Sequence, residues 1–343
     1  MSKGSDLIVR IGVVMTSLVL MTAPLVAKAQ APGRVYRLGV LHVGTDHIPP
    51  SVHGLQEGLA ALGYDVGRTP LPKGSAVIRG ANAQLDWRNV ADEAAARTAA
   101  RQFTLDSVDI IVAFEDQAVR ASQAATSKIP VVFLHVNAPV EEGFVRSLAR
   151  PGGNLTGLAE FRGELLAKRL EMFKELMPSL SGLLVLFDPD DPIAGTQRQE
   201  IQRAAARLKI EPVERSVIRL SEIDQVFAAL KPQEIQGVFV LGRLVTNAML
   251  RIIPRATERR LAVAAQARRL VSAGALFSYG VDSFSTGRDA ARYADKILKG
   301  TSPADLPIEQ ATRFELVINR KVATAIGLPI APALLQRADT IIE

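Results

Sequence analysis

The sequence predicts an α/β protein of two doubly wound lobes, each built on a parallel sheet. Three observations carry this expectation. Apolar runs such as Val108–Ala113 and Leu183–Phe187 alternate with amphipathic helical stretches, and near-continuous apolar strands are those buried on both faces of a parallel sheet. Around ten such strands are too many for one ordinary open sheet. Near the middle of the chain the alternation is interrupted by Ser147-Leu-Ala-Arg-Pro-Gly-Gly-Asn-Leu-Thr-Gly157. Pro151, Gly152 and Gly153 stop a helical pattern, and Asn154 suits a turn. That segment reads either as an ordinary βα loop or as a passage between lobes, with Gly152, Gly153, Asn154, Thr156 and Gly157 as hinge residues.

The elements follow in order. Val35–Leu41 reads as a strand, followed by a polar loop to Pro50 and a helix over Val52–Leu62 that Gly63 ends. Ala76–Arg79 is expected as a short strand and Trp87–Phe103 as an Ala-rich helix. The strand Val108–Ala113, a helix over about 117–127 and the strand Ile129–Leu134 complete the first block. Beyond Gly157 the pattern restarts with a helix over Glu164–Met177, where Glu164 and Lys168 are spaced for an i,i+4 ion pair. Strands at Leu183–Phe187, Val213–Ile218 and Gly237–Leu241 alternate with helices at Ile193–Leu208 and Ser221–Leu230. The helix Thr246–Arg260 contains Pro254, which removes a helical hydrogen bond and predicts a kink. Strands at Leu261–Ala265 and Ala275–Gly280, a helix over Thr286–Leu298, the strand Phe314–Asn319 and two short helices finish the chain. Strand–helix alternation of this kind gives right-handed crossovers.

The N-terminus has the three regions of a secretory signal. Lys3 and Arg10 flank a polar start, and Ile11–Val26 is mostly apolar. Ala27-Lys-Ala29 is a small-x-small cleavage site, so cleavage is expected before Gln30. A membrane anchor needs ~20 apolar residues, and this run is interrupted by Gly12, Thr16, Ser17, Thr22 and Pro24. There is no Cys to lipidate, and no disulfide, thiol chemistry or Cys-based zinc site is possible. The net charge of +6 falls to about +4 without the signal, and one Trp with four Tyr makes a nucleic-acid stacking surface unexpected. The chain is expected to act outside the cytoplasm as a monomer.

Enzyme signatures are missing: no Gly-x-Gly-x-x-Gly follows the first strand, and there is no P-loop and no Gly-x-Ser-x-Gly elbow. His42, His47, His53 and His135 lack a helix-spaced pair with a carboxylate, so no metal is expected, nor any other cofactor.

Several stretches resemble the ABC-transporter substrate-binding proteins of type I periplasmic-binding-protein fold, in their tryptophan/tyrosine-type branch. They are Gly143–Gly157, Glu164–Glu171, Ala273–Gly280, Ile297–Gly300, Pro303–Pro307, Phe314–Asn319 and Ala325–Leu328. The resemblance implies two lobes joined by three crossovers. Lobe one would hold residues 34–156 and 278–309, and lobe two residues 157–277 and 310–343, after a signal at 1–29. The crossovers would fall near Thr156, Phe277 and Ala311. A small polar ligand, amino-acid-like or otherwise, would bind between the lobes. Hinge closure would then present it to an ABC permease, or to a membrane receptor if the protein is a sensor.

Parallel sheets bind ligands at the carboxyl ends of their strands, where helix N-termini offer unpaired N–H groups. The loops at those ends carry Gly44, Thr45 and Asp46; Glu115, Asp116 and Gln117; His135 and Asn137; Asp188 and Asp190; Arg243; and Gln266. Thr45 and Asn137 suit a carboxylate or amide, the aspartates an ammonium, and Arg243 an acid group. Each of these residue types is also a common helix cap. Phe114–Gln117, Ala138-Pro139, Arg243-Leu244 and Ala265-Gln266 all depart from the family's usual residues. Glu115 and Asp116 favour a cationic or hydroxylated ligand over a dianion, unless both are solvent-facing residues of a first helical turn.

Overall fold

The computed structural model describes residues 34–44, 48–67, 74–160, 162–191, 193–231, 234–242 and 248–343, with backbone alone at 162–164. The expected signal segment, Thr45, Asp46 and Arg243 lie outside the described residues.

Two seven-stranded sheets organise residues 35–343. The first contains β1 (Tyr36–Val43), β2 (Ala76–Arg79), β3 (Ala83–Val90), β4 (Ile110–Phe114), β5 (Val131–Val136), β6 (Leu155–Ala159) and β12 (Glu309–Gln310), in the order β12-β6-β5-β4-β1-β3-β2. The second contains β7 (Gly182–Phe187), β8 (Glu211–Ser216), β9 (Gly237–Val240), β10 (Ala262–Ala265), β11 (Phe277–Val281), β13 (Phe314–Asn319) and β14 (Thr340–Ile342), in the order β14-β13-β11-β10-β9-β7-β8. Strand β4 is buried at all five residues and β7 at all six, which is why both read as unbroken apolar runs. The sheets are mixed: β2 runs antiparallel to β3, and β13 antiparallel to β11.

Helices α1 (Pro50–Ala61), α2 (Glu93–Leu105) and α3 (Glu115–Ala125) belong to the first sheet. Helices α4 (Arg162–Leu176), α5 (Ala194–Leu208), α6 (Glu222–Ala228), α7 (Met249–Glu258) and α8 (Arg268–Ser272) belong to the second. The late helix α9 (Ser283–Leu298) returns to the first sheet and packs on α1. The approach is close: a Cβ on Gly54 would stand 2.0 Å from the carbonyl oxygen of Phe284. Helices α10 (Arg320–Ala325) and α11 (Pro332–Arg337) close the chain around β14.

Two expected elements are different. Residues 83–90 form a strand, and the helix expected from Trp87 starts at Glu93, capped by Asp92 accepting from the Ala95 amide. The stretch after Gly153 is strand β6, not a passage. The side chain of Glu164 lies outside the described residues, and Lys168 donates to Glu171 at 3.3 Å.

The chain passes between the sheets at three places. It leaves β6 at Ala159 and enters α4 at Arg162, leaves β11 at Val281 and enters α9 at Ser283, and leaves β12 at Gln310 and enters β13 at Phe314. These links run side by side. The Ala311 amide donates to the Ala159 carbonyl at 3.0 Å, and the Asp282 amide donates to the Arg313 carbonyl at 2.9 Å.

Candidate functional site

The third link falls at the expected Ala311, and the other two lie a few residues beyond Thr156 and Phe277. Gly152, Gly153 and Asn154 lead into β6 of the first sheet, and Thr156 and Gly157 lie within it. The Val131 amide donates to the Asn154 carbonyl, the Asn154 side chain donates to Thr126 and Ile129, and the Thr156 hydroxyl donates to Leu306. Bonded on these sides, the segment is a turn into an interior strand. Phe277 is likewise buried inside β11, paired with Ala264 and Ile318 in the second sheet. The chain therefore crosses five residues later than expected, at Asp282. Glu160 begins the first link.

Most of the expected binding residues do sit where β-strands end. Gly44 follows β1. Strand β4 turns straight into α3 with no loop, because Glu115 adopts φ +65°. Glu115 and Gln117 are exposed and Asp116 half-buried in that first helical turn. His135 and Asn137 lie at the end of β5, both half-buried. The register of β5 with β6 shifts between Phe133 and Val136, and His135 takes φ +59° within that irregularity. Its Nδ1 then meets the Glu160 carboxylate across the strand pair.

A row of rings leads away from this pair beneath the strand ends. His135 lies 6.3 Å from Phe114, Phe114 is 5.9 Å from His42, and His42 is 6.1 Å from Trp87. The row takes one residue from each of β5, β4, β1 and β3, and Glu160 directly follows β6, the next strand beyond β5. His42 is buried, with Nδ1 3.3 Å from the Asn89 side chain. The sequence singled out His135 for its place after a strand. It gave no sign of Glu160, whose partner is 25 residues away.

At the second sheet, Asp188 accepts the Asp190 amide at 2.9 Å and so shapes the turn after β7, while Asp190 is exposed. The buried acid of this loop is Asp191, which is 7% exposed and accepts from the Ile193 amide at 3.0 Å. It packs on Gly242 after β9, where a side chain would begin 2.9 Å from Asp191 Oδ2. Gln266 is half-buried at the end of β10. Arg169 on α4 is a buried cation that sequence reasoning missed. Its Nε donates to the Tyr279 carbonyl at 2.9 Å, and its guanidinium lies 5.9 Å from the centre of the Phe239 ring. Among the described residues no group of three His, Cys, Asp or Glu side chains is arranged to hold a metal ion.

Two α/β sheets connected by three adjacent links, with polar groups gathered at their strand ends, are suited to holding a solute. The pattern of ABC transporter substrate-binding proteins matches residues 40–342. The chain belongs to the ABC transporter substrate-binding protein family. Members of that family are solute-binding proteins, not enzymes, and the two mixed sheets have the type I periplasmic-binding-protein fold. A tyrosine-binding protein of Clostridioides difficile (strain R20291) is 28% identical over 251 residues, which are 73% of this chain and 72% of the relative. A conserved domain protein from Vibrio cholerae has a solved structure that matches with TM-score 0.74 at 27% identity, covering 90% of this chain and 100% of that one. An ABC domain in complex with L-Trp from Streptococcus pneumonia matches with TM-score 0.73, covering 90% and 100% of the two chains; at 22% identity it is a likeness of fold. No helix among the described residues is long and apolar enough to cross a membrane.

Proposed function

We propose that this protein is the extracytoplasmic receptor of an ABC importer, capturing a small polar solute between two lobes and delivering it to a membrane permease. The observation that carries this reading is the set of three adjacent links. Three short strands side by side resist twisting and shear but bend together, so they form a hinge. The lobes would then be residues 35–159 with 283–310, and 162–281 with 314–343. Glu160, Asp282 and 311–313 would be the hinge.

The ligand would lie against the ends of β1, β4, β5 and β6 on one side and of β7, β9 and β10 on the other. Gly44, Glu115, Asp116, Gln117, His135, Asn137, Asp191 and Gln266 would line it, with Thr45, Asp46 and Arg243 completing the loops. The tyrosine-binding and L-Trp-bound relatives support an amino-acid-like solute. Export through a cleaved signal fits the same role.

The test is to isolate the protein from the extracytoplasmic fraction, denature it and identify released small molecules by mass spectrometry. We expect an intact mass beginning at or near Gln30 and one stoichiometric polar solute, restored to the refolded protein with micromolar affinity or better. A chain retaining residues 1–29, or one that neither releases nor rebinds any solute, would count against the proposal.

A further inference from the structure

Strands β8, β7, β9, β10 and β11 run parallel in the second sheet, so each helix connecting two of them brings the chain back to the sheet's amino edge. The carboxyl ends of α5, α6 and α7 therefore gather at that edge, opposite the strand ends assigned to the solute. Exposed cations gather with them. Arg203, Arg207 and Lys209 lie at the end of α5, Lys231 just beyond α6, and Arg259 and Arg260 just beyond α7. Helix α5 packs with Leu183 and Val185 on one face of the sheet, and α7 with Leu184 and Leu186 on the other, so both helical layers end in positive charge. The Arg259 Nη1 donates to the Leu230 carbonyl at 3.4 Å and ties the ends of α6 and α7 together.

Few carboxylates answer these cations. Lys231 pairs with Glu234 at 3.4 Å, Glu200 lies one turn before Arg203, and Glu258 is taken up by Arg255. Among the described residues Arg207, Lys209, Arg259 and Arg260 make no ion pair with a carboxylate. The excess is regional. Residues 162–281 with 314–343 hold 21 Lys and Arg against 16 Asp and Glu, whereas residues 35–159 with 283–310 hold 15 against 16. A helix dipole favours a cation in the last turn, which accounts for Arg203 and Arg207. It does not call for Lys209 and Arg260. Both stand past the last helical residue with φ of +56° and +55°, where Gly is the usual occupant and Asn the next. An open groove of about 510 Å³ lies at the same edge, lined by Ser181, Gln202, Lys209, Ile210, Pro212 and one acid, Glu211.

We propose that this amino edge docks on an anionic phospholipid membrane, leaving the opposite, solute-facing edge clear. The proposal goes beyond the solute-binding reading and does not depend on which solute is held. A guanidinium matches two phosphate oxygens with its fork, and a lysine meets phosphate as a point charge. Cations on both helical layers meet a broad plane of phosphates at once, whereas an acidic peptide in the groove would reach only the α5 side. The groove gives a lipid headgroup room beside Lys209. Attraction of this kind adds up over the basic residues near a bilayer and is screened by salt.

Flotation of the mature protein with vesicles tests this. One set is phosphatidylcholine alone, and the other is equal parts phosphatidylcholine and phosphatidylglycerol. We expect binding to the anionic vesicles only, with release at high salt. Arg207→Gln with Lys209→Asn, and Arg259→Gln with Arg260→Asn, should each weaken it severalfold, and all four together at least tenfold. Asn tolerates the left-handed backbone, so melting temperature and solute affinity should be unchanged. Lys128→Gln with Arg150→Gln removes the same charge as either pair from exposed positions beside the first sheet, and should leave binding within twofold. If the fourfold variant does not fold, the two pairs decide. An equal loss from the first-sheet control, equal binding to both vesicle sets, or binding to neither overturns the proposal. Binding to poly-L-glutamate without binding to anionic vesicles also overturns it and makes the edge a contact for an acidic protein. None of these failures bears on solute binding, which the released small molecule decides.

Discussion

At Gly157 a Cβ would stand 2.1 Å from the carbonyl oxygen of Phe133 on the adjacent strand, so the backbones of β5 and β6 can pair there only without a side chain. Gly153, four residues earlier, faces open space. Gly157→Ala should therefore destabilise the protein by about 2–3 kcal/mol, and Gly153→Ala by no more than about 0.5 kcal/mol. Urea melts of the two variants check this, and equal midpoints would mean that the strand pair yields easily. The Pro-Gly-Gly stretch was visible as a break in the chain, but its pairing with residues 126–131 and 306 was not. The same limit hid Glu160 and Asp191. Each is one acid among several in its neighbourhood, and only a distant partner, His135 for one and Gly242 for the other, distinguishes it.

Between elements, Asp224 joins α6 to α7. It accepts from Arg251 Nη2 and Arg255 Nε, each at 2.7 Å, and these two bonds hold its carboxyl below the ordinary value of 3.8. A carboxyl lowered in the folded state contributes stability above its unfolded value and loses that contribution as pH falls from there through the folded value. Asp224→Asn should thus lower the urea midpoint slightly at pH 7, and the gap to wild type should narrow as pH drops below about 4. A gap that widens in acid would contradict the pairing. Among strands, those buried on both faces were legible because nothing but apolar residues suits them. Strand β3 was not, because Asp86, Trp87 and Arg88 stand inside it. The buried Trp87 and the Asp86–Arg88 ion pair satisfy its faces in ways local sequence does not announce. The antiparallel placement of β13 was equally hidden, since strand direction follows from how the third link returns.

For the whole molecule, the three links predict a bending motion with each lobe moving as a unit. Small-angle scattering should show a smaller radius of gyration with bound solute, and an engineered bulky pair at Ala311 and Asp282 should restrict that change. Unaltered scattering on saturation would argue against closure. The return of α9 to the first sheet has another consequence, for the time course of synthesis. Val52, Leu55 and Leu59 of α1 are fully buried, and the helix that packs on α1 is encoded more than two hundred residues later. A nascent chain that has emerged only as far as Val281 carries all of the strands β1 to β6 yet lacks the outer layer that seals them. Its first lobe stays open to proteases and to chaperones until residue 298 or so has left the ribosome. Under the proposed export, such a polypeptide would be kept pliable by the order in which its own parts are made.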